Sequence, residues 1–528
     1  MTTPSSAGYL ERGQACLRCR RRKVRCDGSR PACGQCVRAD RQDDCEYADP
    51  SGPTTTQMLE QRMSQLQTRI AELESQKSVP LELHDPYERF RASRNDSSGQ
   101  QALSPVNVPA DVSQAMLQSF SQHSSEFGFF LNGARFLQRI NPRQSASRPQ
   151  HLTLLLNTIY LMAVDVYADP GWKAQQPAFL GNVLQELPNA MSLADASNIM
   201  DVLQAEVLLA YYFLNSNRQL EGAYHLNAAV SIVMACKLNI LRSAHPQIAG
   251  GVGLGAIEYR LSPPADDIEE GERINAFWTV FSLERIWAVT LGTASAFTDD
   301  DSMGTQIDIP WPLDMAGYQN RRLSPDLRGT RTIQAFLRNP ASDSNASMLS
   351  LYAKSTILFY QATQLARRWN PDDRGYQSEF RRFDGYLERY KQSLPPVDRV
   401  GPGRADITRS LLVIHSLAHC ATIQLHMPTS RDWSSSVRVI TAALSAARNI
   451  QIANLDAVPF INPIVGASLT IIAQTLGRGI AMRAAVPGRT NTGPDEGTLN
   501  AALNAIITAF RRWSGGSLYL RHQLSLLR

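Results

Sequence analysis

From residue 111 to residue 528, apolar side chains return at intervals of three and four, with few runs that alternate as a strand would. This pattern predicts an all-helical body. The stretch NIMDVLQAEVLLAYYFLNSNRQLEGAYHLNAAVSIVMACKLNIL predicts two long helices joined around Asn215 to Arg218, an αα-hairpin. Two other stretches, HLTLLLNTIYLMAVDVY and VGASLTIIAQTLGRGIAM, are apolar enough to raise a membrane question. Asn157 and Asp165 interrupt the first and Gln474 and Arg478 the second, so both are expected to be buried helices. Nearer the start, QMLEQRMSQLQTRIAELESQ places Leu59, Met63, Leu66, Ile70 and Leu73 at alternating steps of four and three. That is a coiled-coil seam, with Met63 and Ile70 at a and the leucines at d, and Arg69 and Glu74 placed to attract across a parallel dimer.

The stretches between are polar. The first fourteen residues are expected to be disordered, and MTTPSSAGYLERG lacks the apolar run of a secretory signal. Residues 48–56 are a linker rich in Pro, Gly and Thr, and 77–110 form a flexible tether. The expected order is a compact module at 15–47, the linker, a dimerisation helix at 57–76, the tether, and a helical domain at 111–528.

Composition adds little until it is mapped. The chain has 528 residues, 43% hydrophobic and 19% charged, with a net charge of +5. The nine Arg and Lys between Cys16 and Arg41 face only two Asp, so the positive charge sits at one end. A basic module on a near-neutral body points to an anionic partner. Six of the eight cysteines lie in the same place: Cys16, Cys19, Cys26, Cys33, Cys36 and Cys45. Clustered, reduced cysteines at short spacing are metal ligands, whereas Cys236 and Cys420 fall in apolar helical sequence as core residues. Six thiolates are too many for one tetrahedral zinc and too few for two separate four-sulfur sites. Two Zn²⁺ sharing two bridging thiolates use all six, and leave a double negative charge that the basic residues offset.

The spacing C-x2-C-x6-C-x6-C-x2-C-x8-C, the basic run RRRKVR and Pro31 before Cys33 resemble the fungal binuclear zinc-cluster transcription factors. The resemblance implies that Cys16 and Cys33 bridge, that Cys19 and Cys26 complete one zinc, and that Cys36 and Cys45 complete the other. Each C-x2-C is expected to start a short helix, with RRRKVR continuing the first as a basic rod for the major groove. By the family motif, Lys23 and Arg22 would touch base edges of a CGG-like triplet. Arg18, Arg20, Arg21 and Arg25 would contact phosphates or neutralise the cluster. A zinc ribbon or redox motif would leave the third and sixth cysteines unexplained, and metal storage would need no basic helix.

In the body, GERINAFWTVFSLERIWAVTLGTASAF followed by IDIPWP resembles the middle homology region of the same family, over residues 152–312. Arg273, Phe277, Trp278, Arg285, Gly292, Asp308 and Pro310 fit its pattern. Glu284 stands where the family usually has Asp, and Thr293-Ala294 where it usually has Arg-Pro. LLVIHSLAHCATIQLHMP resembles a later helix of the family that ends in a His-x-Pro step. The acidic stretch DDIEEGE and Glu284 are expected to pair with Arg273 and Arg285 or to cap the helix. Asp299 to Asp301, beside Phe297 and Trp311, suit a surface loop better than an activation surface.

No catalytic set emerges. His415 and His419 share a helix face but lack an H-E-x-x-H context, and GGVGLG, residues 250–255, does not follow a strand. The expectation is a nuclear regulator of RNA polymerase II transcription that is not an enzyme. It would bind double-stranded DNA as a homodimer, hold two zinc ions and no membrane, engage the transcription machinery, and answer to an unidentified small-molecule effector. The alternative is a small-molecule-binding or catalytic helical protein that the zinc module delivers to the genome.

Overall fold

The computed structural model describes residues 14–47, 55–76, 106–140, 148–167, 169–244, 261–300, 305–320, 323–324, 326–339, 346–401, 403–485 and 493–527. The chain divides into two compact units, Met1–Ala92 and Ser93–Arg528. Among the described residues there is no strand; a single bridge joins Ser243 to Gly329. Among the described residues, no helix is long and apolar enough to cross a membrane.

Among its described residues the first unit carries α1 (Leu17–Arg21), α2 (Gly34–Arg38) and α3 (Thr55–Gln76). Along α3 the seam residues Leu59, Met63, Leu66 and Ile70 are 53–61% exposed, so one copy leaves this face uncovered. Leu73 lies on α3, but its side chain is outside the described set.

In the second unit the long helices are α4 (Ala110–Ser121), α5 (Gln150–Tyr167), α6 (Gln176–Ser192), α7 (Ile199–Asn215), α8 (Gln219–Ala235), α9 (Asp267–Leu291), α10 (Met348–Arg367), α11 (Arg374–Ser393), α12 (Ala405–His426), α13 (Trp433–Ile452), α14 (Val465–Ala484) and α15 (Glu496–Trp513). Neighbours in sequence are mostly neighbours in space: α4 packs on α5, α7 on α8, α8 on α9, and α13 on α14. The strongest long-range contact joins α10 to α12. The expected hairpin is present as α7 and α8, and the two apolar stretches are the buried helices α5 and α14. Segments 77–105 and 245–260, which include most of the expected tether and the glycine run, lie outside the described residues.

Helix α9 shows why the signature residues are the ones they are. Asp266 caps its start, accepting from the amides of Ile268 and Glu269, and Gly292 in the left-handed region (φ 72°) ends it. Trp278 is fully buried, donates from Nε1 to the Pro310 carbonyl at 2.8 Å, and stacks on Trp311 with centroids 4.5 Å apart. Asp308 is also buried; it accepts from the Arg331 amide and the Ser243 hydroxyl. Arg273 pairs with Glu269 at 2.6 Å, as the acidic stretch suggested. Glu284 does something else. Its two oxygens accept from the Ala296 amide and the Ser295 hydroxyl, both at 2.7 Å, while Arg285 donates to the Phe297 carbonyl and lies over the Tyr360 ring. Adjacent residues thus clamp the loop after Gly292 from two sides. Phe297 is buried, so it is not part of an exposed acidic-aromatic surface.

Candidate metal centre and nucleic-acid interface

A module of some thirty residues has too little apolar area to fold on a core alone. Within residues 14–47 the only buried residues are Cys16, Cys19, Cys26, Cys33 and Cys36, with Ala15, Cys45 and Tyr47 packed partly against them. The six sulfurs form two groups of four: Cys16, Cys19, Cys26, Cys33, and Cys16, Cys33, Cys36, Cys45. Within each group every sulfur lies within 4.8 Å of the others, and Cys16 and Cys33 belong to both. Sulfur separations are 3.8 Å for Cys16–Cys33 and Cys16–Cys36, and 3.6 Å for Cys19–Cys33. A tetrahedron with Zn–S bonds of about 2.3 Å has edges of about 3.8 Å. The donor set and its dimensions both fit zinc. Among the described residues no other group of His, Cys, Asp or Glu is placed to hold a metal.

Burial pushes the Cys16, Cys19 and Cys45 thiols up, Cys19 to about 12. Burial acts on Cys33 in the same sense. There, hydrogen bonds from the Cys36 amide and from neighbouring thiols outweigh it and bring the group down to about 6. A bound dication removes the burial penalty on thiolates, so metal and fold arrive together.

The two halves are built alike, seventeen residues apart. Cys16 and Cys33 each cap the following helix, accepting from the amides of Cys19 and Cys36 at 3.4 Å. Each helix lasts five residues and ends in a Schellman turn. In the first, the amides of Lys23 and Val24 reach the carbonyls of Arg20 and Cys19; in the second, Asp40 and Arg41 reach Val37 and Cys36. Lys23 and Asp40 are both left-handed, with φ of 54° and 48°. This corrects the expectation of a continuous basic helix. α1 stops at Arg21 with Arg22 as its cap, and Lys23, Val24 and Arg25 lie beyond it. The reason is geometric: after one and a half turns the chain must reverse to bring Cys26 back to the sulfurs.

Arg20, Arg21, Arg22, Lys23 and Arg25 are exposed, and Arg18 is half-buried with Nη1 donating to the Arg41 carbonyl at 3.5 Å. Two further residues matter that spacing did not reveal. The Asp27 carboxylate accepts from the amides of Ser29 and Gly34, fastening the first half to the start of α2; these bonds hold its acid below the usual carboxylate range. Tyr47 donates to the Ser29 carbonyl at 2.8 Å and lies under the Arg30 guanidinium. An aspartate directly after a ligand cysteine was the available signal for the first; Tyr47 had none.

In the body, His415 bonds the Pro395 carbonyl at 2.9 Å, and its ring lies 6.4 Å from that of His419. Cys236 and Cys420 are buried, and the Cys420 thiol donates to the Ser468 carbonyl.

Comparison with known proteins finds one match in the metal module and one in the body. Residues 14–54 match the fungal Zn(2)-Cys(6) binuclear cluster domain, and residues 117–325 match the fungal specific transcription factor domain. The chain thus carries both domains found in the fungal zinc-cluster transcription factors, and a Zn(2)-Cys(6) cluster binds two zinc ions. That family and the relatives below are regulators, not enzymes. The chain is 25% identical to the citrinin biosynthesis transcriptional activator mrl3 of Monascus ruber, over 54% of this chain and 63% of that protein. It is 25% identical to the notoamide biosynthesis cluster transcriptional coactivator notQ' of Aspergillus versicolor, over 53% of each. A shorter match, 34% identical over 104 residues, joins 18% of this chain to 10% of the transcriptional activator protein acu-15 of Neurospora crassa. The chain therefore spans less than two thirds of the length of each of these relatives.

Proposed function

We propose that this protein is a nuclear, sequence-specific regulator of RNA polymerase II transcription that reads CGG-like triplets as a homodimer. The observation that carries the reading is the shared-sulfur geometry beside an exposed basic turn. Cys16 and Cys33 bridge the two zinc ions, Cys19 and Cys26 complete one, and Cys36 and Cys45 the other. Lys23 and Arg22 read base edges, because a turn that ends a helix projects its side chains beyond the helix end. Arg18, Arg20, Arg21 and Arg25 hold the phosphates. The exposed seam Leu59, Met63, Leu66 and Ile70, continued in sequence by Leu73, pairs two copies and sets half-site separation. The helical body is the regulatory part, meeting the transcription machinery and an effector. The relatives above are named as activators or a coactivator, which favours activation over repression.

The test is selection of bound duplexes from random DNA by the full chain, with zinc counted by elemental analysis. Enrichment of paired CGG-like triplets at one spacing, with two zinc ions per chain, is expected. Leu66→Pro, which costs a helix interior about 3 kcal/mol, should weaken binding to the paired site and leave zinc in place. Unchanged affinity in that variant removes the dimer, and absence of any enriched motif removes the reading.

A further inference from the structure

The body contains a cavity of about 440 Å³ that nothing in the family match assigns. It lies among α4, the loop at 124–133, α7, α9, α10 and α12, wholly inside the second unit. Protein interiors hold few voids larger than a water molecule, and this one falls within the size range of small-molecule sites. Its lining is mainly apolar and aromatic, with Phe120, Phe129 and Phe136 on one side and Met315, Met348 and Val413 from other elements.

The polar groups say what it would take. Among the described residues, no lysine, arginine or histidine lines the cavity, whereas Glu126 and Asp314 do. An anion there would meet carboxylates and find no cation in the wall. The charge of Glu126 is already matched, since Arg409 reaches its Oε1 at 3.2 Å from behind and the Asn462 amide donates to Oε2 at 2.9 Å. Glu126 therefore calls for no cationic ligand, and burial pushes the Asp314 acid up, which disfavours its charged form. The hydroxyl protons of Ser124 and Ser410 go to the carbonyls of Ser121 and Asp406, which leaves their oxygens as acceptors.

The loop that walls the cavity is held open by the fold rather than by a ligand. The Gln204 side chain spans it, accepting from the Phe130 amide at 2.7 Å and donating to the Gly128 carbonyl at 3.2 Å. Gly128, at φ 69°, has no room for a Cβ, which would stand 2.7 Å from the Tyr211 ring.

We propose that this cavity binds an uncharged, mostly apolar aromatic molecule that offers a hydroxyl or amine hydrogen-bond donor. The site stands whether or not the zinc module reads DNA.

The test uses the full chain and two fluorescent probes that share an arylamine. N-phenyl-1-naphthylamine is neutral; 1-anilinonaphthalene-8-sulfonate adds an anion to the same rings. Saturable binding of the neutral probe at one per chain is expected, with the sulfonate at least tenfold weaker. Leu349→Trp and Ser410→Phe, which place bulk in the cavity, should each weaken the neutral probe at least tenfold. Equal or tighter sulfonate binding, non-saturating uptake, or full binding by a folded filling variant overturns the proposal. A second measurement needs no variant: 4-hydroxybenzophenone, irradiated with the unaltered chain, should label the segments around Met315 and Met348. Labelling confined to other segments refutes the site. Gel shifts on the same sample keep the two questions apart, because lost DNA binding with intact probe binding counts against the DNA reading alone.

Discussion

Lys23→Gly separates two roles that most substitutions would confuse. Lys23 occupies a left-handed position (φ 54°), a conformation that costs a non-glycine residue about 1–2 kcal/mol and glycine almost nothing. If Lys23 served only the fold, glycine should improve the module by roughly 1 kcal/mol, seen as up to about fivefold tighter zinc retention against a chelator. If it also reads a base edge, the same variant loses about 1–3 kcal/mol of discrimination, roughly 5- to 150-fold. The expected result is therefore opposite in sign on two assays: zinc held at least as well, specific DNA bound worse. Fluorescence anisotropy with a selected duplex and a scrambled one measures the second at a fixed salt concentration. An equal loss on both duplexes would mean a phosphate contact, and an unchanged preference would sink the base-reading role. Joint loss of zinc and DNA would make Lys23 a structural residue after all.

Other consequences can be checked directly. Cys16→Ser, which removes a sulfur common to both groups, should cost both zinc ions by elemental analysis; Cys26→Ser, which touches one group, should leave more metal behind. Trp278→Phe should destabilise the full chain by about 2–4 kcal/mol in urea unfolding, from lost packing and an unpaired Pro310 carbonyl, and a loss well under 1 kcal/mol would contradict the buried hydrogen bond. Asp266 is held down to about 2, chiefly by the Arg135 side chain and then by the Glu269 amide. A depressed acid contributes stability above its ordinary value of 3.8 and loses it as the pH falls toward 2. Asp266→Asn keeps the helix cap but should flatten that acid limb by under about 1 kcal/mol, since the pair is partly exposed and screened. A limb as steep as the wild type's would assign it elsewhere.

The metal module was legible because cysteine spacing is a direct record of ligand geometry, and the helical body because apolar periodicity is a direct record of a buried face. What spacing could not show was where α1 stops. Arg, Lys and Val carry no stop signal, and the reversal at Lys23 comes from the need to return Cys26 to the sulfurs. The same limit explains Glu284. Its place next to Arg285 suggested a pair, but adjacent residues on a helix point apart, and each instead finds the loop that follows Gly292. The cavity was invisible for a third reason. Its wall comes from segments far apart in sequence, and no local pattern encodes space that side chains leave unfilled.

The two halves of the module also bear on which surface meets DNA. Their backbones agree in cap, helix length, Schellman bonds and even the left-handed residue, so the fold alone offers two equivalent turns. Apart from the cysteines and the shared arginine at Arg21 and Arg38, their side chains do not agree. Where the first half has Arg18, Arg20, Arg22 and Lys23, the second has Gln35, Val37, Ala39 and Asp40 at the matching positions. A polyanion discriminates sharply between such surfaces, because an aspartate at the turn repels the phosphates that a lysine attracts. On the proposed DNA reading, the duplicated scaffold would offer its first half to nucleic acid. The other half is needed for its sulfurs, since Cys33 belongs to both groups and the first zinc site is incomplete without it. Exchanging Lys23 and Asp40 would test this: both zinc ions should remain, because both residues hold the same backbone turn, while specific DNA binding should fall. Retained specific binding in the exchanged protein would place the reading surface on some other part of the module.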